Sequence, residues 1–220
     1  MFYFVEKSPM PSLVVKQNKN VNEDSSIDEL ASLLRQEEKH NLSYTPWPSF
    51  PYKADVAFTL ITGTNCFCLQ FRVDEKIIRA RYTKANDPVY EDSCVEFFIS
   101  LDEGNTYYNF EFNCIGTVLC GFGNNRHNRE RLPEALLNKI KCQTIIQRQK
   151  EKEHWELTVI IPFSLLQHYD LSKLNGEKGK ANFYKCGDEL LEPHYISWSN
   201  IKSDKPDFHL PEFFGELLFE

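Results

Sequence analysis

Ser93-Cys94-Val95-Glu96-Phe97-Phe98-Ile99-Ser100, the turn Asp102-Glu103-Gly104-Asn105, and Thr106-Tyr107-Tyr108-Asn109-Phe110-Glu111-Phe112-Asn113 together decide the fold. Successive side chains of a strand point to opposite faces, so apolar residues at every second position mark a core-facing strand. In the first run Val95, Phe97 and Ile99 share one face, and Cys94, Glu96 and Phe98 share the other. In the second, Tyr108, Phe110 and Phe112 oppose Tyr107, Asn109, Glu111 and Asn113. A short Asp/Gly/Asn turn between two such runs makes an antiparallel hairpin.

The period of two continues outward on both sides. Candidate strands are Val56–Ile61, Cys66–Val73, Ile77–Tyr82, Thr117–Cys120, Lys141–Arg148, Trp155–Ile161, Ala181–Cys186, His194–Ser199 and Gly215–Phe219. Helical signals are few. Ser26-Ile27-Asp28-Glu29 reads as a capping box ahead of Leu30, Leu33 and Leu34, predicting a helix that ends by Asn41. Short helices are expected at about Pro133–Lys139 and Phe163–His168. Many short strands with close turns predict an all-β fold, an antiparallel, jelly-roll-like β-sandwich with a few short peripheral helices. Residues 1–220 are expected to form one domain. Within it, residues 1–53 supply a strand, the helix and a crossing loop punctuated by Pro46, Pro48 and Pro51, all packed on the sandwich. Trp47 and Phe50 in that loop read as packing anchors.

Composition sets bounds on function. The 17 Phe, 10 Tyr and 3 Trp in 220 residues supply a core and argue against disorder. A net charge of −7 disfavours nucleic acid as a partner, because phosphate binding needs a basic surface. No run approaches the ~20 apolar residues of a membrane span. Met1-Phe2-Tyr3-Phe4-Val5-Glu6-Lys7 is too short for a signal h-region and lacks a basic start, so the expected location is cytoplasmic, with no membrane partner. Seven cysteines at irregular spacing, without a CxxC pair, read as reduced thiols that mostly fill core.

The polar halves of the strands carry the functional reading. If the strands at Cys66–Val73, Ile77–Tyr82, Ser93–Ser100 and Thr106–Asn113 are neighbours, one sheet presents Gln70, Arg72, Arg79, Arg81, Glu96, Glu111 and Asn113 on its outer face. Such a set is either a solvated face laced with cross-strand ion pairs or a recognition surface. Planar groups that donate and accept at fixed spacing suit paired hydroxyls. Tyr90 and Trp198 supply rings that could stack on a sugar.

At Tyr90-Glu91-Asp92-Ser93-Cys94-Val95-Glu96-Phe97-Phe98-Ile99 the chain resembles the W-x-x-D/S-x-V-E-I/F-F-I pattern of the family 9 carbohydrate-binding modules. It is still more similar to short stand-alone family 9-like proteins of gut Bacteroidetes. That likeness includes Trp47–Tyr52, Tyr107–Gly116, Ala181–Asp188 and Pro206–Gly215. The resemblance implies a non-catalytic module that holds a sugar or glycan end between two rings. It places the first ring at Tyr90, the second at Trp198, a hydroxyl-binding carboxylate at Glu96, and the family's Arg-x-Asn pair at Glu111 and Asn113. Arg is thus replaced by Glu at 111, and Arg79 or Arg81 is expected to restore a guanidinium. The expected partner is a mono- or oligosaccharide.

Other chemistries are weighed against that reading. A glycoside hydrolase could use Glu96 and Glu111, but three nearby arginines would hold both carboxyls ionised, whereas the acid must keep its proton. A scaffold that has lost sugar affinity is a further alternative. A haem site would need axial Met or His ligands; Met1 and Met10 lie outside any strand, leaving only His194 and His209. Asp188, His194, Asp207 and His209 match no metal-ligand spacing, so no metal site is expected; structural calcium, carried by relatives attached to xylanases, is not predicted. No cofactor is expected. The loop Asn124-Asn125-Arg126-His127-Asn128-Arg129-Glu130-Arg131 reads as a solvated cover over one end of the sandwich.

Overall fold

Alternation along the strands generates two sheets that share one inner layer. The structure, a computed structural model, describes residues 10–148 and 150–220; the Met1–Lys7 segment lies outside the described residues. In chain order the elements are β1 (Ser12–Val15), α1 (Ile27–Leu34), β2 (His40–Asn41), β3 (Asp55–Thr62), β4 (Cys66–Glu75), β5 (Cys94–Ser100), β6 (Tyr107–Asn113), β7 (Val118–Gly123), β8 (Glu130–Arg131), α2 (Glu134–Leu137), β9 (Lys141–Arg148), β10 (Glu153–Pro162), β11 (Lys178–Cys186), β12 (Tyr195–Ser197) and β13 (Gly215–Phe219). One sheet has eight strands in the order β1-β13-β11-β5-β6-β7-β8, with β12 also on β11; the other runs β2-β3-β4-β10-β9. Pairing is antiparallel except at one edge, where β1 lies parallel to β13. Among the described residues no helix is long and apolar enough to cross a membrane.

The inter-sheet layer is aromatic. Val95, Phe97 and Ile99 from β5 and Phe110 and Phe112 from β6 face Phe58, Phe67, Leu69 and Phe71 from the other sheet. Phe183 of β11 stacks on Phe58 at 3.6 Å between centroids and on Phe97 at 5.1 Å. Each fully buried Phe contributes roughly 1.5–3 kcal/mol of transfer free energy, which makes this layer the main source of stability.

Both outer faces are covered, by different means. The Ser26 hydroxyl accepts from the Glu29 N–H, as the capping box predicts, and α1 lays Leu30 and Leu34 on Ile61, Cys66, Cys68 and Ile160. This helix ends at Leu34, within the predicted limit of Asn41, and His40–Asn41 becomes strand β2. Over the eight-stranded sheet, Trp47, Ile201, Phe208 and Phe214 cover Phe98, Tyr107 and Tyr184. Trp47 is anchored by its indole N–H, which donates to the Ser203 carbonyl at 3.0 Å.

The predicted strand Ile77–Tyr82 does not form. The N–H groups of Arg81 and Tyr82 donate to the Asp92 carboxylate at 2.9 and 3.0 Å, and Arg79 exchanges bonds with Ser93. Side-chain acceptors have replaced a ladder partner. The expected common sheet face is also divided: β4, with Gln70 and Arg72, belongs to the five-stranded sheet, whereas Glu96 and Glu111 lie on the other.

Candidate functional site

On the outer face of the eight-stranded sheet the cover is incomplete and leaves a cavity of about 290 Å³. Its floor comes from three neighbouring strands. Glu96 on β5 stands directly opposite Glu111 on β6, and Asn109 precedes Glu111 by two residues, on the same face. Cys186 closes the floor from β11, beside β5. The walls are Tyr90 in a 3-10 turn, Arg126, Arg129 and Arg131 around β8, Asp188 and Tyr195, and the Pro206–His209 segment.

A hydrogen-bond relay fixes the floor. Arg129 Nε donates to Asn109 Oδ1 at 2.9 Å, and Asn109 Nδ2 donates to Glu111 Oε1 at 2.7 Å. The same guanidinium donates to the Tyr107 and Gly121 carbonyls at 2.9 and 3.1 Å and lies 4.3 Å from the Tyr107 ring centre. Gly121 permits this crossing: a Cβ there would sit 3.1 Å from Asn109 Oδ1 and 3.4 Å from Arg129 Nε. Glu111 Oε2 is left buried and without a hydrogen-bond partner.

Burial dominates the electrostatics. It raises the Glu96 carboxyl well above its ordinary range, with Glu111 adding repulsion and the Cys186 thiol, 3.1 Å away, opposing the shift. It raises Glu111 to about 7, against the stabilising Asn109 bond and the pull of Arg131 and Arg129. Asp188 rises to about 6 for the same leading reason. His209, bonded to the Tyr107 hydroxyl at 3.0 Å, falls to about 3 through burial and the surrounding arginines. The floor thus offers carboxyl O–H donors and carboxylate acceptors side by side, near neutral pH.

The rim is aromatic. Tyr90 is 37% exposed. Tyr195 is held edge-on by Trp47 and Phe50 at 5.8 and 4.9 Å, and Phe208 stacks on Tyr184 at 4.1 Å.

Of the residues expected from sequence, the structure brings Tyr90, Glu96 and Glu111 into this cavity and places four elsewhere. Trp198 belongs to the inter-sheet core: it packs edge-on against Phe58 and Phe183, and a Cβ on Gly215 would fall 2.4 Å from its ring. Asn113 spends its amide on Tyr82 O and Asp92, and its oxygen on the N–H groups of Ile115 and Thr117. Arg79 donates to the Glu91 carbonyl at 2.6 Å and pairs with Asp92, while Arg81 is exposed outside the cavity. The expectation that three nearby arginines keep Glu96 and Glu111 ionised therefore fails. Arg72 lies on the other sheet, and burial pushes both carboxyls up.

The loop that carries Arg126, Arg129 and Arg131 is largely solvated, as expected, but sequence reasoning missed that these three arginines also wall the cavity, and missed Tyr195 and Phe208. Asn109 was legible by alternation as a neighbour of Glu111, yet it was not among the expected site residues. His194 and His209 are not brought together as a ligand pair. His194 bonds Lys185 and the Glu192 carbonyl, whereas His209 bonds Tyr107.

Comparison with known proteins adds the lineage. Curated protein sequences give no match. Among solved structures, the chain is similar to a protein of Bacteroides uniformis provisionally described as carbohydrate-binding. The two share 35% identity and a TM-score of 0.87, over 96% of this chain and 100% of that one. Two structures of a family 9 carbohydrate-binding module from Caldicellulosiruptor kristjanssonii share the fold. The complex with glucose is 12% identical with a TM-score of 0.59, covering 96% of each chain. The complex with cellotriose is 13% identical with a TM-score of 0.62, covering 96% of this chain and 94% of that one. The sequence model described as carbohydrate-binding family 9 matches residues 25–219, nearly the whole length, and the chain therefore belongs to that family.

Proposed function

We propose that the chain binds a mono- or oligosaccharide without cleaving it, in the cavity above Glu96 and Glu111. The observation that carries this reading is the cross-strand carboxyl pair, buried yet facing a cavity, with one oxygen of Glu111 unpartnered. An unpaired buried acceptor costs free energy until a donor arrives, and a sugar hydroxyl is such a donor. Glu96 supplies a donor or acceptor beside it, so adjacent hydroxyls are read as a pair. Tyr90 packs on the ring from the rim, with Tyr195 and Phe208 as the opposing apolar wall in place of the expected Trp198. The membership in a carbohydrate-binding family, and the glucose and cellotriose complexes of the distant module, support the ligand class.

Hydrolysis is the weaker reading for a geometric reason. A glycosidase's two carboxyls flank the scissile bond, whereas Glu96 and Glu111 rise side by side from one sheet face and approach a sugar from the same side. Calorimetric titration with a panel of mono- and oligosaccharides, glucose and cellotriose included, tests the proposal. Saturable binding lost in Glu111→Gln and Tyr90→Ala is expected. Absence of binding across the panel, or affinity unchanged in both variants, overturns the site. Sugar release during the titration would overturn the non-catalytic assignment.

A further inference from the structure

The floor of the same cavity holds a set of metal-ligating atoms of which sugar recognition uses only Glu96. Cys94 and Cys186 are direct partners across the β5–β11 ladder, and Glu96 lies two residues along β5 on the same face as Cys94. The two sulfurs and a Glu96 carboxyl oxygen all lie within 4.8 Å of one another, with Cys186 Sγ 3.1 Å from Glu96 Oε1. Cys186 and Glu96 line the cavity, while Cys94 is sealed beneath. We propose that Cys94, Cys186 and Glu96 form a Zn²⁺ site with its fourth position open to the cavity.

Three arguments converge. The first is geometric: Zn–S bonds of about 2.3 Å and Zn–O bonds of about 2.0–2.2 Å in a tetrahedron set ligand atoms somewhat under 4 Å apart. The observed cluster is within rotamer adjustment of that. The second is electrostatic: among the described residues no ion pair reaches Glu96 or Glu111, although the two carboxyls stand opposite each other out of water. The arginines of the wall act on these carboxyls only at a distance, and a divalent cation would supply a counter-charge in direct contact. The third is the unpartnered Oε2 of Glu111, the residue directly opposite Glu96, an acceptor that a water on the open position could satisfy, as outer-shell carboxylates do. Two thiolates select a thiophilic ion such as Zn²⁺ over Ca²⁺ or Mg²⁺. Binding forms two Zn–S bonds and one Zn–O bond, and the protons of the two thiols and of the Glu96 carboxyl leave to solvent without any redox change.

This inference stands apart from sugar binding, though both use Glu96. The test is titration of chelator-stripped, reduced protein with Zn²⁺ by calorimetry and with Co²⁺ by visible absorption. One equivalent is expected, with proton release and the intense absorption of a tetrahedral cobalt–thiolate site. Cys94→Ser, Cys186→Ser and Glu96→Gln should each weaken binding at least about tenfold, a loss that even removal of an outer-shell partner produces. Cys142→Ser, at the half-buried cysteine on β9, should leave it unchanged. If Cys94→Ser does not fold, the isosteric Glu96→Gln and the cavity-lining Cys186→Ser decide. No saturable binding, or binding that survives Cys186→Ser, overturns the site. Sugar titration of the metal-free protein separates the two ideas. Sugar binding without zinc binding overturns only this inference, and zinc binding without sugar binding overturns only the proposed function.

Discussion

The two outer faces of the sandwich carry similar side chains and meet opposite fates. On the five-stranded sheet, Gln70 donates to Thr158 at 2.8 Å, and Arg72 bonds Gln70 and also donates to the Leu34 carbonyl at 3.0 Å, at the C-terminus of α1. A cation at the end of a helix satisfies a carbonyl that has no intrahelical partner. Glu156 completes the closure by pairing with Arg35 at 2.6 Å. On the eight-stranded sheet, Asn109 and Arg129 hold one oxygen of Glu111 and leave the other unpartnered over a cavity. Polar residues at alternate strand positions therefore do not distinguish a site from a docking surface for a helix. What covers them does.

The sharpest way to break that contrast is to exchange the roles of the two rings, Tyr90 and Trp198. Trp198 is a core ring between the sheets, so Trp198→Ala should lose about 3–5 kcal/mol of stability through cavity formation. Urea denaturation measures it, and a near-neutral Trp198→Ala that abolished sugar binding would restore the ring to the site. Tyr90→Ala should do the reverse, leaving stability nearly unchanged and weakening sugar binding.

A second pair of variants compares the faces directly. Glu111→Gln keeps the shape and the Asn109 neighbour but removes the charge-assisted acceptor, costing about 1.5–3 kcal/mol of binding, or roughly ten- to a hundredfold in Kd by calorimetry. Arg72→Ala should leave sugar affinity untouched and lower stability by about 1–3 kcal/mol, because the Leu34 carbonyl and Gln70 lose a buried partner. Loss of sugar binding in Arg72→Ala would show that the faces are coupled.

Much of the fold was legible because strand period and capping are local properties. Lys141–Arg148 and Gly215–Phe219 run as the alternation predicts, and Ser26 caps α1 as its spacing predicts. Ile77–Tyr82 failed because its partner is not a strand but the Asp92 carboxylate, a contact that alternation cannot register. The same distinction governs the site. Glu96 and Glu111 were readable because one hairpin fixes their register. Trp198 was misplaced because the resemblance implied a ring at that position and could not show which way it faces. Arg129 reaches Asn109 from a loop that has no periodicity to read. The Cys94–Cys186 pairing joins residues far apart in the chain and follows only from the order β11-β5.

The smallest predicted effect concerns the place where the two sheets meet. Glu75 at the end of β4 lies 3.0 Å from Lys185 Nζ on β11, and Trp155 of β10 donates its indole N–H to Glu75 at 2.7 Å. Lys185 Nζ is 2.8 Å from His194 Nε2, and His194 Nδ1 is 2.9 Å from the Glu192 carbonyl, so the proton sits on Nδ1 and Nε2 accepts. The other groups facing this imidazole are the Tyr52 ring at 5.0 Å and Glu75 at 3.9 Å. Burial first, and Lys185 second, lower the His194 pKa to about 3. Above pH ~6.5 the ring is neutral in both folded and unfolded chains and titrates in neither. Between that pH and the folded value only the unfolded chain takes up the proton, so stability falls on acidification by about 1.4 kcal/mol per pH unit. Urea denaturation at pH 6 and pH 5, for the parent and for His194→Gln, isolates this limb from the cavity carboxyls, whose raised pKa values act with the opposite sign. The variant should show a smaller drop, the remainder coming from His209, whose pKa is also lowered to about 3; an identical drop in both would place the acid sensitivity elsewhere and leave the junction of the two sheets indifferent to pH.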